Sequence, residues 1–124
     1  MKQTIRLGMN IIGVSDLTKS RSFYEHVLGM TFTEFRPPFA EAILGKAVFN
    51  IEEDSTEREK GWKQKHIGGR KSCTFQVSNM TTFLAKAIKA GATIIKQPEK
   101  RPWGWIDAVI ADRDGNEFGI EQEI

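Results

Sequence analysis

The chain has 124 residues, 40% hydrophobic and 27% charged, with 18 basic against 16 acidic side chains and a net charge of +2. That length supports one domain with its own core; the near balance of charge gives no electrostatic case for nucleic acid, and no apolar run approaches the roughly 20 residues of a membrane span. The start, Met1 to Arg6, leads into a strand-like segment without a signal-peptide apolar stretch, and one cysteine, Cys73, cannot form an internal disulfide. Together these predict a cytoplasmic protein in which Cys73 is a small buried hydrophobe.

Residues 5–14 alternate loosely and are rich in Ile and Val, which predicts a strand. Ser15-Asp16 offers an N-cap, because a short side-chain oxygen can accept from the free amides of a first helical turn. Leu17, Phe23, Tyr24, Val27 and Leu28 follow at helical spacing, and Gly29 closes the helix. Met30 to Phe35 reads as a strand broken by Pro37-Pro38, which cannot donate ladder hydrogen bonds. Ala40 to Leu44 and Lys46 to Glu52 read as two more strands around Gly45. Residues 55–69 are mostly charge and glycine with almost nothing to bury, so they are expected to be an exposed linker. Ser72 to Val77 is then a strand. Asn79 caps a helix with Met80, Phe83, Leu84, Ala87 and Ile88 on its apolar face, and Gly91 ends it. Thr93 to Lys96 is a strand, Gln97 to Pro102 a loop, and Trp103 to Ala111 a strand. Asp112-Arg-Asp-Gly-Asn116 is a turn whose Asp-Gly supplies a positive φ, and Glu117 to Gln122 is the last strand.

The order is the same twice. Val14 matches Val77, Asp16 matches Asn79, and Gly29 matches Gly91 after a one-residue deletion, at an offset of 63 falling to 62. A repeat of half the chain is not a solenoid. It predicts a single α+β domain of two tandem β-α-β-β-β modules, 1–54 and 70–124, joined by the charged linker 55–69 and forming a cupped mixed sheet around a cleft.

Two stretches carry a family resemblance. Val14-Ser-Asp-Leu-Thr-Lys-Ser-Arg-Ser-Phe-Tyr-Glu-His-Val-Leu-Gly29 resembles the first-module motif of the vicinal oxygen chelate superfamily, which holds glyoxalases, bleomycin- and fosfomycin-resistance proteins and extradiol dioxygenases. Asp112-Arg-Asp-Gly-Asn116 is similar to its Asp-Pro-Asp-Gly-Asn turn, with Arg113 replacing proline, and Trp103-Gly104 falls where many bleomycin-resistance-like members carry that pair. The resemblance implies the glyoxalase/bleomycin-resistance fold, and it implies a divalent metal in catalytic members, held by His, Gln or Glu on the first and last strands of each module. In this chain the four matching positions hold Met9, Asn50, Ser72 and Gly119. A thioether is soft, glycine has no side-chain donor, and Ser and Asn bind weakly, whereas a catalytic site usually needs three strong donors. No metal or other cofactor is therefore expected. Glu52 and Glu121 lie two residues beyond their ligand positions, on the same strand face, and are the carboxylates from which a divalent site could still be built. His26, mid-helix, is expected to pack or to face solvent, and His66, in the charged linker, reads as an ordinary surface residue.

Without a metal, the resemblance implies binding rather than turnover. The candidate walls of such a cleft are Phe35, Phe39, Phe49, Trp103, Trp105 and Phe118, whose flat faces suit a planar organic molecule. Trp103 and Trp105 alternate with Gly104 and are expected to share a face. Arg36, Asn50, Glu52, Arg101, Asp107 and Glu121 are the polar groups that could orient a ligand. An open sheet edge is a liability that pairing covers, so a homodimer is expected. The leading expectation is thus a non-enzymatic binder of a small planar molecule. The alternatives are a metal-dependent lyase, isomerase or thiol transferase using Glu121, and a protein-interaction module working through the linker.

Overall fold

The computed structural model describes residues 2–124. The first module runs β1 (Asn10–Val14), α1 (Leu17–Ser22) continued by a π-helical turn (Phe23–Val27), β2 (Thr31–Arg36), β3 (Phe39–Leu44) and β4 (Ala47–Glu53). A short helix α2 (Trp62–His66) follows, and the second module runs β5 (Gly69–Gln76), α3 (Met80–Lys89), β6 (Thr93–Arg101), β7 (Trp105–Ala111) and β8 (Asn116–Glu123). Each module is one four-stranded mixed sheet, in the orders β1-β4-β3-β2 and β5-β8-β7-β6. In both, the first strand pairs parallel with the last and the other pairs are antiparallel. The α+β fold of two tandem modules is the one the repeat predicts.

The predicted caps form. Asp16 accepts from the Lys19 amide at 3.0 Å and Asn79 from the Thr82 amide at 2.9 Å. Leu17, Phe23, Tyr24, Val27 and Leu28 are all buried, as are Met80, Leu84 and Ala87, while Ile88 is exposed at the outer side of α3. Gly29 and Gly91 take the positive φ that ends each helix.

One apolar cluster serves both modules. The Tyr24 and Phe118 rings lie 6.2 Å apart and those of Phe49 and Phe75 6.1 Å apart, so helix and sheet residues of the two halves interleave. The Asp112–Asn116 turn adds a polar clasp. Asn116 donates to the Gly13 carbonyl at 2.9 Å and accepts from the Gly68 amide at 2.7 Å; Ser15 donates to Asp114 through both its amide and its hydroxyl; the Tyr24 hydroxyl donates to Asp112. Asp112 and Asn116 are buried, and each polar atom involved has a partner, which is what makes such burial tolerable. Burial, and then the adjacent Asp112 carboxylate, push the Tyr24 phenol well above its ordinary pKa.

Five expectations change. The segment before Asn10 forms no strand, and Ile5 and Leu7 are exposed. Gln97 to Arg101 continues β6 instead of looping out; Pro98 is tolerated because β6 is an edge strand, at a register irregularity between Lys96 and Glu99. Trp103 lies in the turn between β6 and β7, so the strand starts at Trp105. Cys73 is half-buried, packed against the core, with its thiol pushed up in pKa by burial.

The largest change is in the linker, which buries Trp62 to 6% exposure. Arg58 lies over the rings of Phe39 and Trp62 at 4.6 and 4.7 Å and pairs with the buried Glu52 at 2.9 Å. The His66 ring packs on Trp62. α2 closes on β1 at Gly13, where a β-carbon would stand 2.8 Å from the His66 backbone, so only glycine admits this approach.

Candidate functional site

The helices and the apolar cluster cover one face of the two sheets. On the other face each sheet forms its own open concavity. Which residues reach it follows from strand parity, since successive side chains point to opposite faces.

The first concavity has a volume of about 470 Å³ and is lined by Met9, Glu34, Arg36, Phe39, Glu41 and Asn50, with the Pro37-Pro38 turn at its rim. Arg36 pairs with Glu34, and Glu41 accepts from Thr33 at 2.9 Å. Arg36 stands against Glu34 and Glu41, so this lining carries one net negative charge. Phe39 supplies its flat apolar surface and is held from behind by Arg58.

The second concavity, of about 280 Å³, is lined by Arg70, Thr74, Lys96, Asp107, Gly119 and Glu121, together with Arg101. Arg101 donates to Asp107 at 2.9 Å, and Glu121 accepts from Gln76 at 3.0 Å. Asp107 and Glu121 are directly opposed across β7 and β8. Three cations face two carboxylates, so this lining carries one net positive charge. Between the two concavities the edge strands β1 and β5 flank a smaller cavity, to which Asn10, Ile11, Ser72 and Cys73 contribute.

Of the expected wall residues, the structure places Phe39 in a concavity and puts others on the opposite face. Phe49 and Phe118 are buried in the shared core, against Phe75 and against Phe23 and Tyr24. Phe49 precedes Asn50 and Phe118 precedes Gly119, so parity sends each aromatic to the core when its polar neighbour faces out. Phe35 is likewise on the helix side, beneath the Arg21 guanidinium at 4.4 Å. Trp105 is half-buried at the start of β7, in phase with the cavity residues Asp107 and Val109. Trp103 is 67% exposed in the preceding turn and lines neither concavity, so the two tryptophans do not share a strand face. Gly104 between them serves the turn by its positive φ rather than by close approach, as nothing lies within 4 Å of where its β-carbon would be.

Arg36, Asn50, Arg101, Asp107 and Glu121 do face the concavities, and Glu52 does not, being held by Arg58. Arg70, Thr74 and Lys96 are concavity residues that the sequence reading missed. Arg70 directly follows the segment 55–69 read as linker, and only the pairing of β5 with β8 brings it over Gly119.

The donor set does not fit a divalent ion. Met9 and Asn50 open into the first concavity, Gly119 into the second and Ser72 into the cavity between them, and none is a strong ligand. Among the described residues no three His, Cys, Asp or Glu side chains are grouped to hold a metal. Among these residues Glu121 is not joined by two further strong donors.

A family model described as Glyoxalase/Bleomycin resistance protein/Dioxygenase superfamily matches residues 6–120. The chain is 26% identical over 122 residues to Virulence protein STM3117 of Salmonella typhimurium, covering 96% of this chain and 85% of that one. The crystal structure of that protein superposes with a TM-score of 0.72, over 99% of this chain and all of the other. A glyoxalase/bleomycin resistance protein/dioxygenase family enzyme from Burkholderia phytofirmans PsJN superposes with a TM-score of 0.77 at 26% identity, over 92% of this chain and 95% of that one. No described helix is long and apolar enough to cross a membrane.

Proposed function

The chain belongs to the glyoxalase/bleomycin resistance protein/dioxygenase superfamily, and from that premise we propose that it binds a small planar organic molecule in its concave faces without a metal ion. The observation that carries this reading is the pairing of two open concavities with weak donors at Met9, Asn50, Ser72 and Gly119. The cups remain, lined by a few placed polar groups and, in the first, the face of Phe39, while the chemistry that would grip a divalent ion is gone. Binding is then the protein's task, and turnover is not required of it.

A homodimer completes the cleft. In this arrangement the first concavity of one copy faces the second concavity of another, setting a net negative lining against a net positive one. The exposed apolar side chains Ile5, Leu7, Met9 and Ile11, alternating before and along β1, support it, because a paired copy would cover them. The cytoplasm is its proposed location, given one unpaired cysteine.

The test is metal stoichiometry. The protein is incubated separately with Zn, Ni, Mn and Fe(II), desalted, and its bound metal counted per chain. A value near zero for all four is the expected result. A value near one that is lost in Glu121→Gln overturns the reading in favour of a metal-dependent lyase or transferase. Light scattering that returns the monomer mass at working concentration sinks the dimer.

A further inference from the structure

Gly119 is more than a lost ligand position. A β-carbon built there would lie 2.7 Å from Nη2 of Arg70 and 2.8 Å from Oγ1 of Thr74, both closer than real side chains approach. The Arg70 guanidinium therefore rests in the volume that any side chain at 119 would take. The extra residues of β5 between Arg70 and Thr74, where pairing with β8 slips, belong to the same strand pair.

The other cations of this concavity are already paired. Arg101 is bound to Asp107 at 2.9 Å and lies 3.5 Å from Glu99, and Lys96 lies 3.7 Å from Glu99. Among the described residues the Arg70 guanidinium has no carboxylate within ion-pair distance and no hydrogen-bond acceptor. It is an uncommitted planar donor on the concave wall, next to a hydroxyl.

We infer that Arg70, seated over Gly119 beside Thr74, is the ligand's anchor, and that the ligand carries a carboxylate. The inference rests on the binding reading above and names its ligand class. A guanidinium presents parallel N–H donors in a fork that matches a carboxylate, which a neutral amide cannot reproduce in charge. Glu121 lies two residues along β8 on the same face, about 7 Å from Gly119 by strand rise, and takes a hydroxyl or amine at the ligand's far end. The class is thus a small hydroxy- or amino-carboxylate, its planarity taken from the binding reading above.

The probes are 4-hydroxybenzoate and its neutral counterpart 4-hydroxybenzamide, titrated into the full chain with the backbone amides and the Arg70 Nε–H followed by NMR. The expected result is binding of the acid about tenfold or more tighter than the amide. Arg70→Met should lose about tenfold or more of the acid's affinity while melting like the parent, and Arg70→Lys should recover part of it. Gly119→Ala should weaken binding as well, because its methyl takes the guanidinium's place. Equal affinity for acid and amide, or an Arg70→Met variant that binds like the parent, overturns the carboxylate anchor and leaves the cleft reading standing. If 4-hydroxybenzoate, acetate, benzoate and succinate all fail to move the Arg70 signal, the anchor is also overturned. If in addition the amide moves no concave-face signal, the cleft reading fails with it.

Discussion

The segments that lead into and form the first strands of the two modules occupy equivalent places in the repeat and present opposite chemistry. At the offset of 63, Leu7, Met9 and Ile11 correspond to Arg70, Ser72 and Thr74. One set is apolar and exposed, the other polar, with Arg70 and Thr74 in the second concavity. The modules thus share what makes the fold, namely the aspartate or asparagine cap, the buried helix face and the strand order, and differ in what a ligand would meet. The two modules share a scaffold while their concave faces carry different side chains. The connection is unequal too. The turn before the last strand of the second module clasps the first through Asp112, Asp114 and Asn116, whereas among the described residues the Gly45 turn of the first makes no comparable reach.

Three sets of substitutions would break or sharpen that comparison. The largest effect is expected at the join between modules. Trp62→Ala should destabilise by about 3–5 kcal/mol, as removal of a buried aromatic does, whereas Trp103→Ala should stay within about 0.5 kcal/mol. Urea unfolding of the two variants decides it, and similar midpoints would mean residues 55–69 are only a tether.

Next comes the clasp. Asp112→Ala leaves the Tyr24 hydroxyl and the Asn116 amide without their acceptor and should cost about 2–3 kcal/mol. The same contact predicts an alkaline transition. The Tyr24 phenol has a higher pKa folded than unfolded, first because it is buried and then because Asp112 is adjacent. A raised folded pKa gives stability that is fully present below the unfolded value, about 10, and is lost as pH climbs towards the folded one. Tyr24 is the only tyrosine, so near-ultraviolet phenolate absorbance reads it alone. Phenolate should emerge together with unfolding, and in Tyr24→Phe the stability lost above that pH should shrink. Early phenolate in a folded protein would contradict the buried contact.

The smallest effect tests equivalence. Asp16→Ala and Asn79→Ala each remove one side-chain acceptor from a first helical turn, so both should cost about 1 kcal/mol. Unequal losses in thermal melts would show that the repeated caps are no longer equivalent.

Much of this was legible in one sequence. The caps, the helix ends at Gly29 and Gly91, and the Asp-Gly hairpin are local devices whose energetics involve residues a few positions apart. The repeat then multiplied the information, since each module confirmed the order of the other. The candidate site was less legible. The sequence points to Asn50, Asp107 and Glu121, but it also places in the cleft Phe49, one residue before Asn50, and Phe118, three before Glu121, and both are core. A wrong face costs every aromatic on a strand at once, because the side-chain period is two.

By itself the sequence determined the α+β order of elements, the family, and the weakness of the metal donors at Met9, Asn50, Ser72 and Gly119, since these depend on residue type and near-neighbour spacing. Tertiary structure alone decided which strand face is concave, that Trp62 and Arg58 turn a charged stretch into part of the core, and that Arg70 lies over Gly119. The physical reason is that these depend on the meeting of segments far apart in the chain. Gly13 lets α2 close on β1, and Gly119 on β8 leaves room for the guanidinium of Arg70 from β5.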